Sequence, residues 1–109
     1  MDIDFLMLEY DKGQASALVE YKNEHAEPAY PKHPSYRALA DLGNRAGIPV
    51  IGCRYKDDFT EWRAVPLNRV AAEIITSPQK FNEAGWVNFL YSIRGREMPD
   101  EIRQKCKQD

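Results

Sequence analysis

The sequence is poor in several features that mark particular classes of protein. It has no apolar run near the roughly 20 residues that a membrane-spanning helix needs. Its N-terminus has neither the basic segment nor the apolar core of a signal peptide. Its two cysteines, Cys53 in an apolar run and Cys106 in a charged segment, have neither the count of a disulfide scaffold nor the spacing of a zinc knuckle. We therefore expect a cytoplasmic protein with reduced thiols and no membrane partner.

A basic excess is also missing. The chain has 15 lysines and arginines against 17 aspartates and glutamates, which gives a formal net charge of −2. Proteins that simply coat nucleic acid normally carry a strong basic excess, so the composition argues against that class and leaves only a local basic face open. In other respects the composition is ordinary: 109 residues, 43% hydrophobic and 29% charged, predict one globular domain.

Two apolar runs at the start of the chain predict a β-hairpin. Residues 2–10 and 15–23 have strand length, and a short polar turn with Gly13 separates them. Both runs carry apolar residues on both faces, a pattern typical of strands that helices cover on both sides. We therefore expect the hairpin in a central position in the sheet.

Later segments alternate between helical and strand patterns. The predicted elements are a helix over residues 35–46 with Ser35 as N-cap, a buried strand over 48–55, a strand over 59–65, a short helix over 67–74, and a longer helix that starts at Ser77 and Pro78 and reaches Ile93. The order strand, helix, strand implies at least one parallel pair. The predicted fold class is therefore α/β, with a central mixed sheet of about four strands flanked by helices. Residues 1–95 form the expected domain, and residues 96–109 a charged C-terminal tail that frays.

The hairpin carries unusual charges. Strand alternation puts Asp4 on one side of the first strand, and Glu20 and Lys22 on one side of the second, so two carboxylates and an ammonium can converge. Converging buried carboxylates repel each other and are usually resolved by a cation, and Mg²⁺ is commonly held by one or two protein carboxylates. Asp4 and Glu20 therefore predict a site for Mg²⁺ or Mn²⁺. Lys22 would orient or deprotonate a metal-activated water and stabilise charge on a phosphate.

Simpler interpretations of the same charges stay open. Asp4, Glu20 and Lys22 can be solvated charges at strand ends or an ordinary cross-strand ion pair. Asp2 could substitute for Asp4 or add a ligand on the same face. Glu24 and His25 either extend the acidic edge towards a second metal or a phosphate, or are plain loop residues.

Three residues after the hairpin are candidate substrate-binding groups. Lys32, Tyr36 and Arg37 could contact phosphate or stack on a base, although a solvated helix face would give the same pattern. The aromatic residues of the second half of the chain are better explained as core or subunit contacts than as base-stacking groups. They are Trp62, Trp86 and Phe89.

The hairpin resembles a known motif. Asp4, the apolar run Phe5-Leu6-Met7-Leu8, a turn, and the strand Ala17-Leu18-Val19-Glu20-Tyr21-Lys22 look like the PD-(D/E)xK, or restriction-endonuclease-like, nuclease superfamily. In that superfamily an Asp at the start of one core strand and an E-x-K on the next form the metal site. Residues 35–55 resemble the next helix and strand, so the likeness covers about the first half of the chain. The compact size resembles small phage or prophage members, with a core that lacks the usual N-terminal helix.

The resemblance implies a metal-dependent nuclease that hydrolyses phosphodiester bonds, with DNA as the expected substrate and Mg²⁺ or Mn²⁺ as cofactor. It makes Asp4, Glu20 and Lys22 the catalytic residues, adds the Tyr21 backbone carbonyl as a metal ligand, and implies the host cytoplasm if the chain is phage-encoded. The alternative is a non-catalytic nucleic-acid- or protein-binding module that retains the nuclease fold. A third interpretation is an unrelated α/β interaction protein whose hairpin charges are accidental.

A homodimer is the expected assembly. Without the superfamily's usual first elements, one edge or face of the sheet would be uncovered, and such surfaces are normally covered by a partner. We expect the aromatic C-terminal helix around Trp86 and Phe89 to form part of the contact.

Overall fold

The computed structural model describes residues 5–9, 13–26 and 34–106. The elements in chain order are β1 (Phe5–Glu9), β2 (Gln14–Asn23), α1 (Pro34–Ala46), β3 (Val50–Tyr55), β4 (Trp62–Pro66), α2 (Arg69–Ile74), β5 (Gln79–Phe81), α3 (Glu83–Ile93) and α4 (Asp100–Lys105). The predicted α/β class and the mixed sheet flanked by helices are confirmed, and over the described residues the sheet has five strands where the sequence predicts about four. In the described part of the chain, no helix has the length and apolar character needed to cross a bilayer.

The strands follow one another across the sheet in the order β1-β2-β3-β4-β5. Among the strands that the structure describes, only β2 and β3 pair in parallel, and α1 connects them, as the strand-helix-strand order predicts. The central position predicted for the whole hairpin is wrong for β1, which is an edge strand. Its Leu6 and Leu8 are 45% and 48% exposed, whereas Met7 between them is buried. Apolar periodicity identifies a strand but carries no information about its neighbours in the sheet.

The two faces of the sheet are covered differently. The core face carries Val19, Ile51 and Trp62, which pack with Trp86 of α3 in the main hydrophobic cluster. The other face, called the cleft face below, carries Leu18, which is buried against Leu39 of α1. On the cleft face α1 packs at the Leu18 end of β2, and the polar residues further along that strand border an open cleft.

Two residues fix the position of α1 and α2 at the start of β3. A Cβ on Gly43 of α1 would lie 2.3 Å from Cγ2 of Val50, so the helix approaches β3 as closely as a glycine permits. The buried side chain of Asn68 caps α2 by accepting from the Ala71 N–H, accepts a second bond from the Val50 N–H, and donates to the Ile48 carbonyl, each at 2.9 Å. These contacts hold the helices against the sheet, and α1 in turn carries one wall of the cleft.

Several predicted boundaries are wrong. Helix α3 begins after Asn82, whose side chain accepts from the Gly85 N–H at 2.8 Å, and not at Ser77 and Pro78, because the short strand β5 precedes it. Ser35 lies inside α1, which begins at Pro34.

Two further segments differ from their predictions. The strand predicted from Phe59 begins only at Trp62, since Phe59 lies in the turn with a φ of 56° and stacks on Tyr55. The segment predicted to be a fraying charged tail contains α4, and Met98 before it is 4% exposed. A buried methionine anchors this segment in a way that its charge content does not indicate.

Candidate functional site

An open cleft of about 160 Å³ lies on the cleft face beside α1. The polar side chains that line it are Glu20 and Lys22 from β2, Tyr36 from α1, Arg54 from β3 and Arg63 from β4. The structure therefore brings together three residues that the sequence analysis singles out: Glu20, Lys22 and Tyr36. Three cations and one carboxylate make this cleft locally basic on a chain whose formal net charge is −2.

The strand register explains why these residues meet. Glu20 pairs with Gly52, and Lys22 pairs with Arg54, in the parallel β2–β3 ladder. Residues directly opposite each other in neighbouring strands point to the same face. Because Gly52 has no side chain, the position opposite Glu20 is a recess. A Cβ there would lie 3.1 Å from Cγ2 of Val65, so the recess is narrow on that side.

Glu20 and Lys22 form an ion pair at the recess. The Lys22 Nζ lies 3.6 Å from Oε1 of Glu20, and the side chains are 41% and 12% exposed. A largely buried carboxylate is less screened by water than a surface one, so its interaction with a nearby cation is stronger than in a typical surface pair. The arrangement offers oxygen ligands inside the recess and an ammonium at its rim.

Arg54 binds the backbone at the C-terminal end of β2. Its Nη1 donates to the backbone carbonyls of Asn23, Glu24 and Ala26 at 3.3, 2.9 and 2.7 Å. The guanidinium thus fixes the chain immediately after Lys22 while its charge remains at the cleft. Hydrogen bonds to a charged donor are stronger than neutral ones, so this contact orders the turn next to the site.

Three predicted site residues, Asp2, Asp4 and Lys32, lie outside the described residues. Their roles in metal or substrate binding stay predictions. Phe5, the residue after Asp4 in sequence, pairs with Val19, the residue before Glu20.

Tyr21 and Arg37 are described but contribute no side chain to the cleft. The Tyr21 ring packs on the core face against Trp86, whose Nε1 donates to its hydroxyl at 3.3 Å, so only the Tyr21 backbone is left for the predicted metal ligand. Burial raises the pKa of this phenol. Arg37 is exposed on α1 and does not border the cleft.

The thiol of Cys53 is not a candidate nucleophile. Cys53 belongs to the buried cluster of the core face, and burial raises its pKa to about 12. A nucleophilic cysteine reacts as the thiolate, which a pKa in this range leaves almost absent at neutral pH.

A second polar cluster lies beyond the end of β2. His25 Nε2 lies 3.0 Å from Oδ2 of Asp57, the Asp57 N–H donates to Glu24 at 2.8 Å, and Asn23 donates to Asp57. Three exposed side chains in this cluster lie within reach of one common ion. Their mutual hydrogen bonds already connect the turn after β2 to the β3–β4 turn, so the cluster is explained as a loop contact.

Trp86 belongs to the protein's own core. It is 3% exposed and packs against Phe81 and Phe89 with ring centroids 5.8 and 5.7 Å apart. Because its side chain is buried within the domain, Trp86 itself cannot form the dimer contact that the sequence predicts around it.

Comparison with known proteins adds no assignment. No protein-family model, curated protein or solved structure matches this chain.

Three residues of the cleft are not predictable from the local sequence. Gly52, Arg54 and Arg63 occupy alternate positions of β3 and β4 and point to the face that carries Glu20. Each arginine interrupts an apolar run, which is a signal of a polar environment at that position. Their meeting with Glu20 and Lys22 depends on the pairing of strands that are distant in sequence, and no local pattern reports it.

Proposed function

We propose that the protein is a metal-dependent nuclease that hydrolyses phosphodiester bonds in DNA. The observation that carries the proposal is the Glu20–Lys22 pair, with 3.6 Å between Nζ and Oε1, at the mouth of a cleft that Arg54 and Arg63 make basic. The pair lies on β2, the second strand of a hairpin that is followed by a helix and a parallel strand. This order supports the resemblance to the PD-(D/E)xK superfamily.

The described donors fit a hard divalent cation. Glu20 offers a carboxylate in a recess, and Mg²⁺ is commonly held by one or two protein carboxylates together with water and substrate phosphates. Asp4 and the backbone carbonyl of Tyr21 are the further ligands of the proposal. When bound, Mg²⁺ or Mn²⁺ would act as a Lewis acid towards the phosphate and the attacking water.

The other polar groups of the cleft have roles that follow from their charge. Lys22, whose Nζ lies 3.6 Å from Oε1 of Glu20, would orient the attacking water and stabilise charge that develops on the phosphate. Arg54 and Arg63, which follow Lys22 in order across the sheet, would bind phosphate oxygens next to the reacting group. Tyr36, which lines the same cleft, would contact the adjoining sugar or base.

One observation favours a second candidate, a non-catalytic nucleic-acid-binding module with the same fold. Among the described residues that line the cleft, cations outnumber carboxylates three to one. Such a surface can bind a polyanion without any metal. The two candidates differ in whether Glu20 and Lys22 affect turnover or only affinity.

The test is cleavage of linear duplex, branched and single-stranded DNA in Mg²⁺ or Mn²⁺. Lys22→Ala should lower turnover by about 10²–10³, since that is the usual loss when one preorganised electrostatic group is removed. Lys56→Ala is the matched control, because Lys56 also faces a glutamate, Glu61 at 4.0 Å, but on the β3–β4 turn. It should keep wild-type turnover.

The outcome that favours the binding module is equally specific. Wild type and Lys22→Ala would then both leave all three substrates intact, with Mn²⁺ shown to be bound, and the substitution would change affinity alone. Equal turnover for Lys22→Ala and wild type would contradict the proposed role of the lysine.

The proposed nuclease is cytoplasmic and forms a homodimer. Leu6 and Leu8 on the edge strand β1 support a contact of this kind, since exposed edge strands with apolar side chains are normally covered. Sedimentation at high micromolar concentration checks it, and a monomer there would contradict the dimer.

A further inference from the structure

The strand register sets four cations side by side on the cleft face. Lys22 pairs with Arg54, Arg54 with Arg63, and Arg63 with Lys80, so strands β2, β3, β4 and β5 each contribute one residue. We call these residues the cationic row. Neighbouring strands lie about 4.8 Å apart, so the row runs at right angles to the strands over roughly 14 Å.

Lys22 forms an ion pair with Glu20, and Arg54 donates to three backbone carbonyls, so these two positions have a structural explanation. The other half of the row, Arg63 and Lys80, is an unfavourable arrangement for folding alone. Like charges directly opposite each other in neighbouring strands destabilise a sheet. Arg63 and Lys80 are exposed and form no ion pair with any residue that the structure describes. A lysine on an edge strand such as β5 is a common protection against aggregation, but that explanation does not extend to Arg63 on the inner strand β4.

A ligand with a repeating negative charge would relieve this repulsion. Arginine and lysine contacts to successive phosphates are the usual way in which proteins hold a nucleic-acid backbone. The first turn of α1 contains no acidic residue and adds the partial positive charge of a helix N-terminus beside the same cleft.

Tyr36 in the cleft favours a single strand over a duplex, because an aromatic ring stacks only on a base whose face is exposed. The cleft, with a volume of about 160 Å³, is open beside this ring. Tyr36 lines the cleft next to the row, and aromatic side chains beside a basic track are how proteins hold single strands without reading their sequence.

We propose that the cationic row, Lys22, Arg54, Arg63 and Lys80, binds the phosphodiester backbone of single-stranded DNA across the sheet, with one base in the cleft against Tyr36. The choice of DNA rests on the proposed function. The row itself extends beyond the nuclease motif, because Arg63 and Lys80 lie in the half of the chain that the resemblance does not cover.

The test is fluorescence anisotropy with a labelled single-stranded oligonucleotide in EDTA over a range of salt concentrations. Each phosphate contact to a single strand contributes about 0.7 to the slope of log K against log salt. The double variant Arg63→Ala/Lys80→Ala should therefore bind more weakly and lower the slope by about 1.4. The control Arg69→Ala/Lys105→Ala removes two exposed cations that lie outside the cationic row and do not border the cleft, and it should keep the wild-type slope.

Equal slopes for the row variant and the control would overturn the proposal. Duplex DNA of the same length that binds as tightly as the single strand would also overturn it. Thermal unfolding checks that the row variant folds. If it does not, Arg63→Gln makes the same comparison with one contact fewer, and a slope change of about 0.7 is then expected.

The failure of this inference and that of the proposed function are distinguishable, because binding is measured without metal. A protein that binds single strands through the row and cuts no substrate leaves the inference intact. A protein that cuts DNA while the row variant keeps its slope overturns the row alone.

Discussion

Gly52→Ala tests whether the recess opposite Glu20 depends on the missing side chain. The added Cβ would lie 3.1 Å from Cγ2 of Val65 and 3.3 Å from Cδ1 of Leu67, both closer than an ordinary contact. Overpacking of this kind costs about 1–3 kcal/mol. Alanine also has less conformational entropy than glycine in the unfolded chain, which stabilises the folded state by about 0.4–1 kcal/mol.

The overpacking term is the larger of the two, so we expect a net loss of about 1 kcal/mol in the free energy of unfolding. For a domain of this size that loss corresponds to a fall of about 4 °C or more in Tm. Urea denaturation with an unchanged m-value measures it. The methyl group also fills the recess beside Glu20, so cleavage activity should fall by more than stability explains.

Val65→Ala provides the internal control for Gly52→Ala. It removes the Cγ2 atom that lies nearest to the new methyl group, so Gly52→Ala should cost less in that background than in wild type. A Gly52→Ala variant that is as stable as wild type and fully active would refute the reasoning. So would an equal cost in both backgrounds.

Other predictions follow from the core and the caps. Asn68→Ala should destabilise the protein more than Asn82→Ala, because Asn68 makes three buried or partly buried hydrogen bonds where a plain N-cap is worth about 1 kcal/mol, and urea denaturation of both variants checks the order. Burial raises the pKa of the Cys53 thiol from 9.0 to about 12. The stability that the protonated thiol contributes is therefore complete below pH 9 and is lost as the pH rises from 9 to 12. The free energy of unfolding of Cys53→Ala should fall less steeply with pH over that range than that of wild type. Native Cys53 should also resist alkylation at pH 8, and rapid modification would contradict its buried position.

Much of the local structure could be predicted because it depends on neighbouring residues. The hairpin turn needs a glycine, and Gly13 has a φ of 60° there. The helix over residues 34–46 and the strand after it follow from the periods of their apolar residues. The parallel β2–β3 pair follows in turn from the helix that connects them.

The remaining features depend on contacts between distant segments. Strand β1 lies at the edge because β2 pairs with β3 on its other side. The apolar pattern of β1 would be the same at the edge or in the centre of the sheet. The strand β5 has only three residues, too few for a period to be recognised, so the sequence predicts too early a start for the helix that follows. Burial of Met98 likewise reflects a tertiary contact that charge content conceals.

The candidate site divides in the same way. The sequence identifies Glu20 and Lys22 because alternation within one strand puts them on one side. Arg54 and Arg63 join them only through the register of β3 and β4, which is set by the packing of the whole sheet. Sequence reasoning therefore finds the part of the site that lies on one strand and misses the part that crosses strands.

The most direct measurement of the central claim is a crystal structure of the protein with Mn²⁺, with the ion located by its anomalous signal. The account predicts an ion about 2.1 Å from a carboxylate oxygen of Glu20, and the loss of that ion in Glu20→Gln. An ion only at the exposed cluster of Glu24, His25 and Asp57, or no ion in a crystal that contains Mn²⁺, would contradict it.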